Sequence, residues 1–374
     1  MTSYNLVSIL GIPVFLALAW AFSSKRRVVN WRAILVGLAL MAALGVFIFL
    51  IPFGRSAFLW VNDAVLKVLE ASGAGVAFVF GPLAAGPGSP GSLGFILATQ
   101  ALPTIIFFSA LMAVLYHVGL MPWLVKVFAR LFTIPMRISG AESLSCSANI
   151  FVGVESALVI RPHLAGMTKS ELCTVLAAGM ATVASNVLAL YALTLKAQFP
   201  TIADHLVSAS FLAIPAAIMT SKLVLPETGE PVTLGRHVQP HYEKEPNLFA
   251  SIMSGSKAGV EVIIGIIALL IAMIGLVALL DMALTWGGAT VGGWFHHPLD
   301  LSFKTLLGYV FLPFTALMGI PLDDVKTLSG IIGERLVLTE VASYLDLAKA
   351  LAAGAIHHDR SALIAAYALC GFAH

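Results

Sequence analysis

Residues 139–162 are apolar enough to enter a bilayer, yet they carry Glu142, Asn149 and Glu155, two glycines and five serines. No other stretch restricts the fold so tightly. A lipid-facing helix of this composition would strand two carboxylates in hydrocarbon, at about 3 kcal/mol each on insertion scales and more in simulations. Irregular backbone at membrane depth is tolerated only where it is buried in protein or lines a wet cavity. The segment is therefore expected to be a re-entrant hairpin. A short helix enters, breaks near 149–155, and a second helix returns to Arg161 and Pro162.

The surroundings agree with a membrane setting. The chain is 59% hydrophobic and 11% charged, against roughly 25% charged residues in soluble domains, so the surplus apolar surface faces lipid. Long apolar runs exclude a β-barrel, whose strands are short and alternating. The basic residues are scattered over loops, and nothing points to nucleic acid. Cys146, Cys173 and Cys370 sit in apolar segments without a CxxC pattern or a histidine at metal spacing, which reads as small core residues.

Taken in order, residues 4–22 form a first span, followed by Lys25, Arg26, Arg27 and Arg32. Basic residues after the apolar run argue against a signal peptide and place that loop in the cytoplasm, with the N-terminus outside. A second span covers 33–52. Residues 54–92 combine an amphipathic helix with a Gly/Pro loop at 81–90, and 93–117 form a third span. Residues 121–137 place Trp123, Leu124, Val127, Phe128 and Leu131 on one face and Lys126 and Arg130 on the other, the pattern of an interfacial helix. Further spans are expected at 172–196, 206–225 and 260–284, with a solvent loop at 226–247 and another loop at 287–300.

Charge inside an apolar stretch recurs at 328–347, with Glu334, Arg335, Thr339, Glu340 and Asp346. Counting spans brings this second segment in from the opposite face. Two interrupted segments in corresponding positions point to an inverted-repeat transporter with its site near the midplane. The expected fold is thus an all-α polytopic membrane protein with two re-entrant hairpins and interfacial helices. It divides into scaffold spans (1–117), an interfacial helix with the first hairpin and transport-domain helices (118–225), a cytoplasmic loop with a scaffold span (226–300), and the second hairpin with the start of a final helix (301–374).

The residues carrying this pattern resemble the concentrative nucleoside transporter family. The motifs are Leu102-Pro-Thr-Ile-Ile-Phe-Phe-Ser-Ala-Leu111, Ser139-Gly-Ala-Glu-Ser-Leu144, Asn149-Ile-Phe-Val-Gly153, Leu158-Val-Ile-Arg-Pro162 and Gly179-Met-Ala-Thr182. Further on come Gly333-Glu-Arg-Leu-Val-Leu-Thr-Glu340, Tyr344-Leu-Asp-Leu-Ala348 and Tyr367-Ala-Leu-Cys-Gly-Phe-Ala373. The resemblance implies a multi-pass symporter of the bacterial cytoplasmic membrane. It would import a nucleoside with a sodium ion or a proton, work as a homotrimer in the lipid bilayer, and need no other cofactor.

It also implies site residues. Gly153, Val154 and Glu155 stand where the family has Gly-Gln-Thr-Glu, one residue shorter here, with Glu155 matched by its register to Arg161 and Pro162. Thr339 and Glu340 replace the family's Asn-Glu, and His374 replaces its asparagine after Cys-Gly-Phe-Ala. The family's sodium site maps onto Asn149, the Val152 carbonyl, Thr182 and the Val183 carbonyl. The departures fall on the substrate contacts, so substrate identity is open while the ion site is compatible.

Under that resemblance, Glu155 and Glu340 are either acceptors for a ribose diol or halves of structural ion pairs with Arg161 or Arg335. Glu142 divides between function and a capping role at the start of the hairpin, and Asn149 between ion binding and capping. The histidine pairs 296–297 and 357–358 do not share a helix face and make poor metal sites. Asp323 and Asp324 read as turn and cap. HExxH and GxSxG are absent, which leaves a membrane enzyme without machinery. The alternative to transport is a non-transporting or substrate-divergent, receptor-like member of the same family.

Overall fold

The computed structural model describes residues 3–86, 89, 91–153, 156–242, 244–295 and 302–371. Among them the regular structure is helical, α-helices with short 3-10 and π turns, apart from one isolated bridge between Ser139 and Leu234. Helices α1 (Ser3–Ala21) and α2 (Trp31–Phe49) match the first two expected spans. The helix expected before the Gly/Pro loop is a 29-residue helix, α3 (Pro52–Phe80), with proline at its start, where the missing N–H costs nothing, and the chain leaves it through a 3-10 turn at Gly81–Ala84. The third span is interrupted: a π turn covers Leu97–Ala101, Pro103 follows, and α4 runs Thr104–His117. Gln100 holds that turn by donating to the carbonyls of Ala85 and Gly94, at 3.0 and 2.8 Å.

Helix α5 (Leu120–Met136) has a second apolar face, which packs into the protein. Met121, Val125, Ala129, Phe132 and Met136 are buried, whereas Trp123, Val127 and Leu131 stay exposed. It packs on α6 (Gly140–Asn149). A break and the one-turn α7 (Ser156–Val159) follow, then a 3-10 segment Arg161–Gly166. The span expected at 172–196 is two helices, α8 (Lys169–Ala181) and α9 (Ser185–Leu195), separated by extended backbone at Thr182 to Ala184. Then comes α10 (Ile202–Val224). Helix α11 (Leu248–Phe295) runs 48 residues, so its helix starts before 260 and continues through the loop expected at 287–295; residues 296–300 lie outside the described set.

Two compact units emerge. One is Leu16–Ile263, in which α10 packs against α2, α3 and α8. Its core joins Phe132, Met136, Cys146, Ile150, Ala178, Ile214 and Ile218. Gly37 of α2 lies against the Met219 side chain, where a Cβ would sit 2.3 Å from Cγ, so only glycine admits that approach. The other unit is Met1–Phe15 with Ile264–His374. In it α12 (Phe303–Leu317) lies along α13 (Leu322–Glu334), followed by α14 (Glu340–Ala352) and α15 (Asp359–Ala368). The N-terminal turns of α1 are tied to this unit: Ser8 donates to the Met318 carbonyl (2.7 Å), and Arg360 donates to the Asn5 side chain (2.6 Å) and to Ser8 (2.7 Å).

Among the described residues, six helices or helix groups are long and apolar enough to cross a membrane: 3–21, 31–49, 52–84, 97–117, 202–224 and 248–290. Many of their large side chains face outward, with Phe78 92%, Trp286 75% and Ile271 71% exposed. Such continuous apolar surface needs a nonaqueous surrounding.

Candidate functional site

The first unit's site begins with an accounting problem. All ten residues of α6 are buried, although half are polar. Each polar group therefore needs a partner. Ser143 donates to the Ala129 carbonyl (2.6 Å) and receives from Thr133 (2.7 Å), and Ser147 donates to the Ser143 carbonyl (2.7 Å). Ser145 bonds Ser156 across the break at 3.2 Å, joining α6 to α7. Asn149 donates its Nδ2 to the Ser145 carbonyl (3.2 Å), yet its buried Oδ1 has no hydrogen-bond partner among the described residues. That oxygen is the exception.

It lies where the backbone opens. The amides of Phe151 and Val152 both turn back to the Ala148 carbonyl, at 2.9 Å. Gly153 then adopts φ +74°, which glycine enters without penalty. A Cβ on Gly153 would stand 2.7 Å from the Ala184 Cβ, so this break is pressed onto the break between α8 and α9. There Thr182 is extended and fully buried, its hydroxyl donating to the Ala178 carbonyl (3.1 Å), and the Val183 amide meets the Ser210 hydroxyl at 3.4 Å. The structure thus brings together the segments holding Asn149, Val152 and Gly153 and those holding Thr182 and Val183. The donor set is uncharged oxygen at an interrupted helix, with one buried acceptor unmet, a chemistry that fits a hard monovalent cation. Val154 and Glu155 lie outside the described residues.

The outer end of this segment is charged and closed. Ser139 and Glu142 form a reciprocal capping box: the Glu142 amide donates to Ser139 Oγ (3.2 Å), and the Ser139 amide donates to Glu142 Oε2 (2.9 Å). The capping reading of Glu142 is the one the geometry shows, and its other oxygen takes an ion pair from Lys222 of α10. Glu142 is 1% and Lys222 4% exposed at the side chain. Lys222 also donates to Ser170 (3.0 Å) at the start of α8. Sequence reading gave Lys222 no role; a lysine inside an apolar run containing no acid was the available signal.

The segment expected as free solvent loop closes over this end. Gly140 N donates to the Thr233 carbonyl (2.9 Å), Ala141 N to the Thr233 hydroxyl (3.2 Å), and His241 N to the Val159 carbonyl (2.8 Å). Residues 226–242 are therefore a strap across both arms of α6–α7.

In the second unit the same helix–break–helix pattern recurs between α13 and α14. Glu334, ending α13, pairs with Lys304 (2.6 Å), which also pairs with Asp346 (2.5 Å). Arg335 donates to the Ala368 carbonyl of α15. Thr339 caps α14 and Glu340 opens it, both nearly buried. The buried hydroxyls of Thr339 and Ser343 have no hydrogen-bond partner among the described residues, two donors one turn apart beside Glu340. Ser343 escaped the sequence reading, since a lone serine in a helix carries no signal of its own. Asp324, expected as turn and cap, instead lies buried in the first turn of α13 and accepts from the distant His357 and His358 amides at 2.9 and 3.2 Å. His374 lies outside the described residues.

Comparison with known proteins covers nearly the whole chain. Residues 10–83 match the model of the Na+ dependent nucleoside transporter N-terminus, 98–198 the Gate model for nucleoside recognition, and 205–374 the Na+ dependent nucleoside transporter C-terminus. A Haemophilus influenzae protein described as an uncharacterized transporter is 35% identical over 99% of this chain and 86% of its own length. Sodium/nucleoside cotransporter 1 of Mus musculus is 36% identical over 99% of this chain, which spans only 56% of that protein. The structure of CNTnw in an inward-facing substrate-bound state superposes with a TM-score of 0.86 at 34% identity, over 99% of this chain and 86% of CNTnw. With the interrupted helices, the apolar spans and these likenesses in agreement, the chain belongs to the concentrative nucleoside transporter family.

Proposed function

We propose that this protein is a secondary active symporter that imports nucleosides across the bacterial cytoplasmic membrane, coupled to sodium. The observation that carries the coupling is the buried Oδ1 of Asn149, without a hydrogen-bond partner among the described residues, four positions before the Gly153 turn that meets Ala184. An asparagine cannot exchange a proton in this range, so an oxygen site built on it favours sodium over a proton. The ion ligands are the Asn149 side chain, the Val152 and Val183 carbonyls and the Thr182 hydroxyl. Gly153, Val154 and Glu155 serve the substrate from the first interrupted segment, and Thr339, Glu340 and His374 from the second. The two glutamates accept the ribose hydroxyls. Both segments are re-entrant hairpins of an inverted repeat that works within a homotrimer, with the N-terminus outside. The sequence-defined segments 1–117, 118–225, 226–300 and 301–374 keep their proposed scaffold and transport roles.

Uptake of labelled uridine and adenosine into proteoliposomes tests the reading. Accumulation should require an inward sodium gradient and collapse when a sodium ionophore dissipates it. Uptake that follows a pH gradient and ignores sodium would replace the ion assignment. No uptake under either gradient would favour a receptor-like role.

A further inference from the structure

The Leu16–Ile263 unit holds a cavity of about 230 Å³ that the site above does not use. Its walls come from four places: Ser109 and Tyr116 of α4, Val152 at the first break, Tyr242 at the end of the strap with Glu245 just beyond it, and Ser254 of α11. The volume is just below the roughly 300–1,000 Å³ of drug-sized ligand sites, which suits a ligand of two small rings.

The cavity is built rather than incidental. Helices α4 and α11 touch backbone to backbone beside it: a Cβ on Gly255 would lie 2.7 Å from the Ser109 carbonyl oxygen, and one on Gly259 2.7 Å from Ile106 Cα. Ser251 bonds His117 Nδ1 at 3.0 Å, fixing the end of α4. Tyr116 and Tyr242 stack, ring centroids 5.3 Å apart and 30° from parallel. His241, the neighbour of Tyr242, is bonded to Val159 of α7, so the aromatic wall is fastened to the return arm of the first interrupted segment. Burial, then the Glu245 carboxylate, raises the Tyr242 phenol above its ordinary range, which keeps it a hydrogen-bond donor. No cation pairs with Glu245 among the described residues.

A flat aromatic wall, a carboxylate free of a cation, and hydroxyls around them match one ligand chemistry. A planar base stacks on tyrosine, and a carboxylate accepts two vicinal hydroxyls. Because Val152 belongs both to this cavity and to the proposed ion site, the cavity adjoins the site where the ion and nucleoside are held. We propose that it is a second nucleoside station, with the base against Tyr242 and the ribose diol on Glu245, occupied as the ligand moves between the first break and the strap. This inference rests on the nucleoside reading above.

Photolabelling of the purified full chain with 8-azidoadenosine and 5-azidouridine, followed by peptide mapping, tests it. Adducts should form on the peptides carrying Tyr116 or residues 242–254 and disappear under excess unlabelled nucleoside. Tyr242→Ala should cut that labelling at least ten-fold, Tyr242→Phe should retain it, and a 2′,3′-dideoxy azido probe should label the peptide about ten-fold less. If the nucleoside-competed adducts map only elsewhere, the station is wrong and the nucleoside reading stands. If the parent chain shows neither competed adducts nor uptake, both fall. Retention of strong labelling in Tyr242→Ala overturns the role of the ring, and Tyr242→Phe guards against a folding artefact.

Discussion

Replacing Lys222 with methionine isolates the interaction that closes the outer end of the first interrupted segment. The Lys222 ammonium sits between Glu142 and Ser170, and both charged side chains are almost wholly buried. Removing the cation leaves Glu142 as an uncompensated buried carboxylate that still accepts the Ser139 amide. Breaking one side of a buried pair costs about 3–5 kcal/mol, and the stranded Ser170 hydroxyl keeps its bond to the Leu225 carbonyl, adding little. Replacing both partners with neutral groups of similar volume is often near neutral. Lys222→Met should therefore destabilise the detergent-solubilised protein by about 3–5 kcal/mol. Glu142→Gln with Lys222→Met should recover most of that loss, because glutamine can still accept the Ser139 amide. The assay is urea or thermal unfolding of the parent, both single variants and the double variant, analysed as a double-mutant cycle. A Lys222→Met protein as stable as the parent, or a double variant no better than the single, would refute a buried, energetically coupled pair.

Three further outcomes are expected. Asn149→Ala and Thr182→Ala should each raise the sodium concentration for half-maximal uptake, with little change in Vmax at saturating sodium; unchanged sodium dependence in both would remove them from the ion site. Glu340→Gln should weaken ribonucleoside binding by roughly 10- to 150-fold, the loss of one charge-assisted hydrogen bond of about 1.5–3 kcal/mol, while sparing analogues without the hydroxyls; equal losses for both would mean that the carboxylate holds the protein and not the sugar. In a Cys173→Ser background, cysteines placed at the exposed positions Lys169 and Gln198 should react with an impermeant thiol reagent from opposite faces, inside and outside respectively. Reaction of both from one face would break the proposed topology.

Much of the architecture is written locally. Apolar runs of membrane length depend on composition over about 20 residues, and α1, α2, α10 and most of α4 fall where those runs lie. Both interruptions are legible for the same reason, since Gly153 and the polar residues at 334–340 break the apolar pattern within a few positions. The Ser139–Glu142 capping box spans four residues and needs no partner from elsewhere.

What the tertiary structure decided involves residues far apart in the chain, where no local pattern carries information. Helix α5 has apolar residues on two faces, and only the arrival of α6 determines that Val125, Ala129 and Phe132 are covered while Trp123 stays out. Lys222 becomes the counterion of Glu142 across 80 residues because α10 passes the start of α6. Residues 226–242, too polar to read as anything but loop, become a strap once Thr233 and His241 satisfy amide and carbonyl groups left open by α6 and α7. Gly153 reads in sequence as a break; its contact with Ala184 makes it the place where two breaks meet. Transfer to a membrane is a sum over neighbouring residues, so sequence determines the spans. Satisfying a buried polar group is a matter of which distant atoms reach it, and that only the packed chain determines.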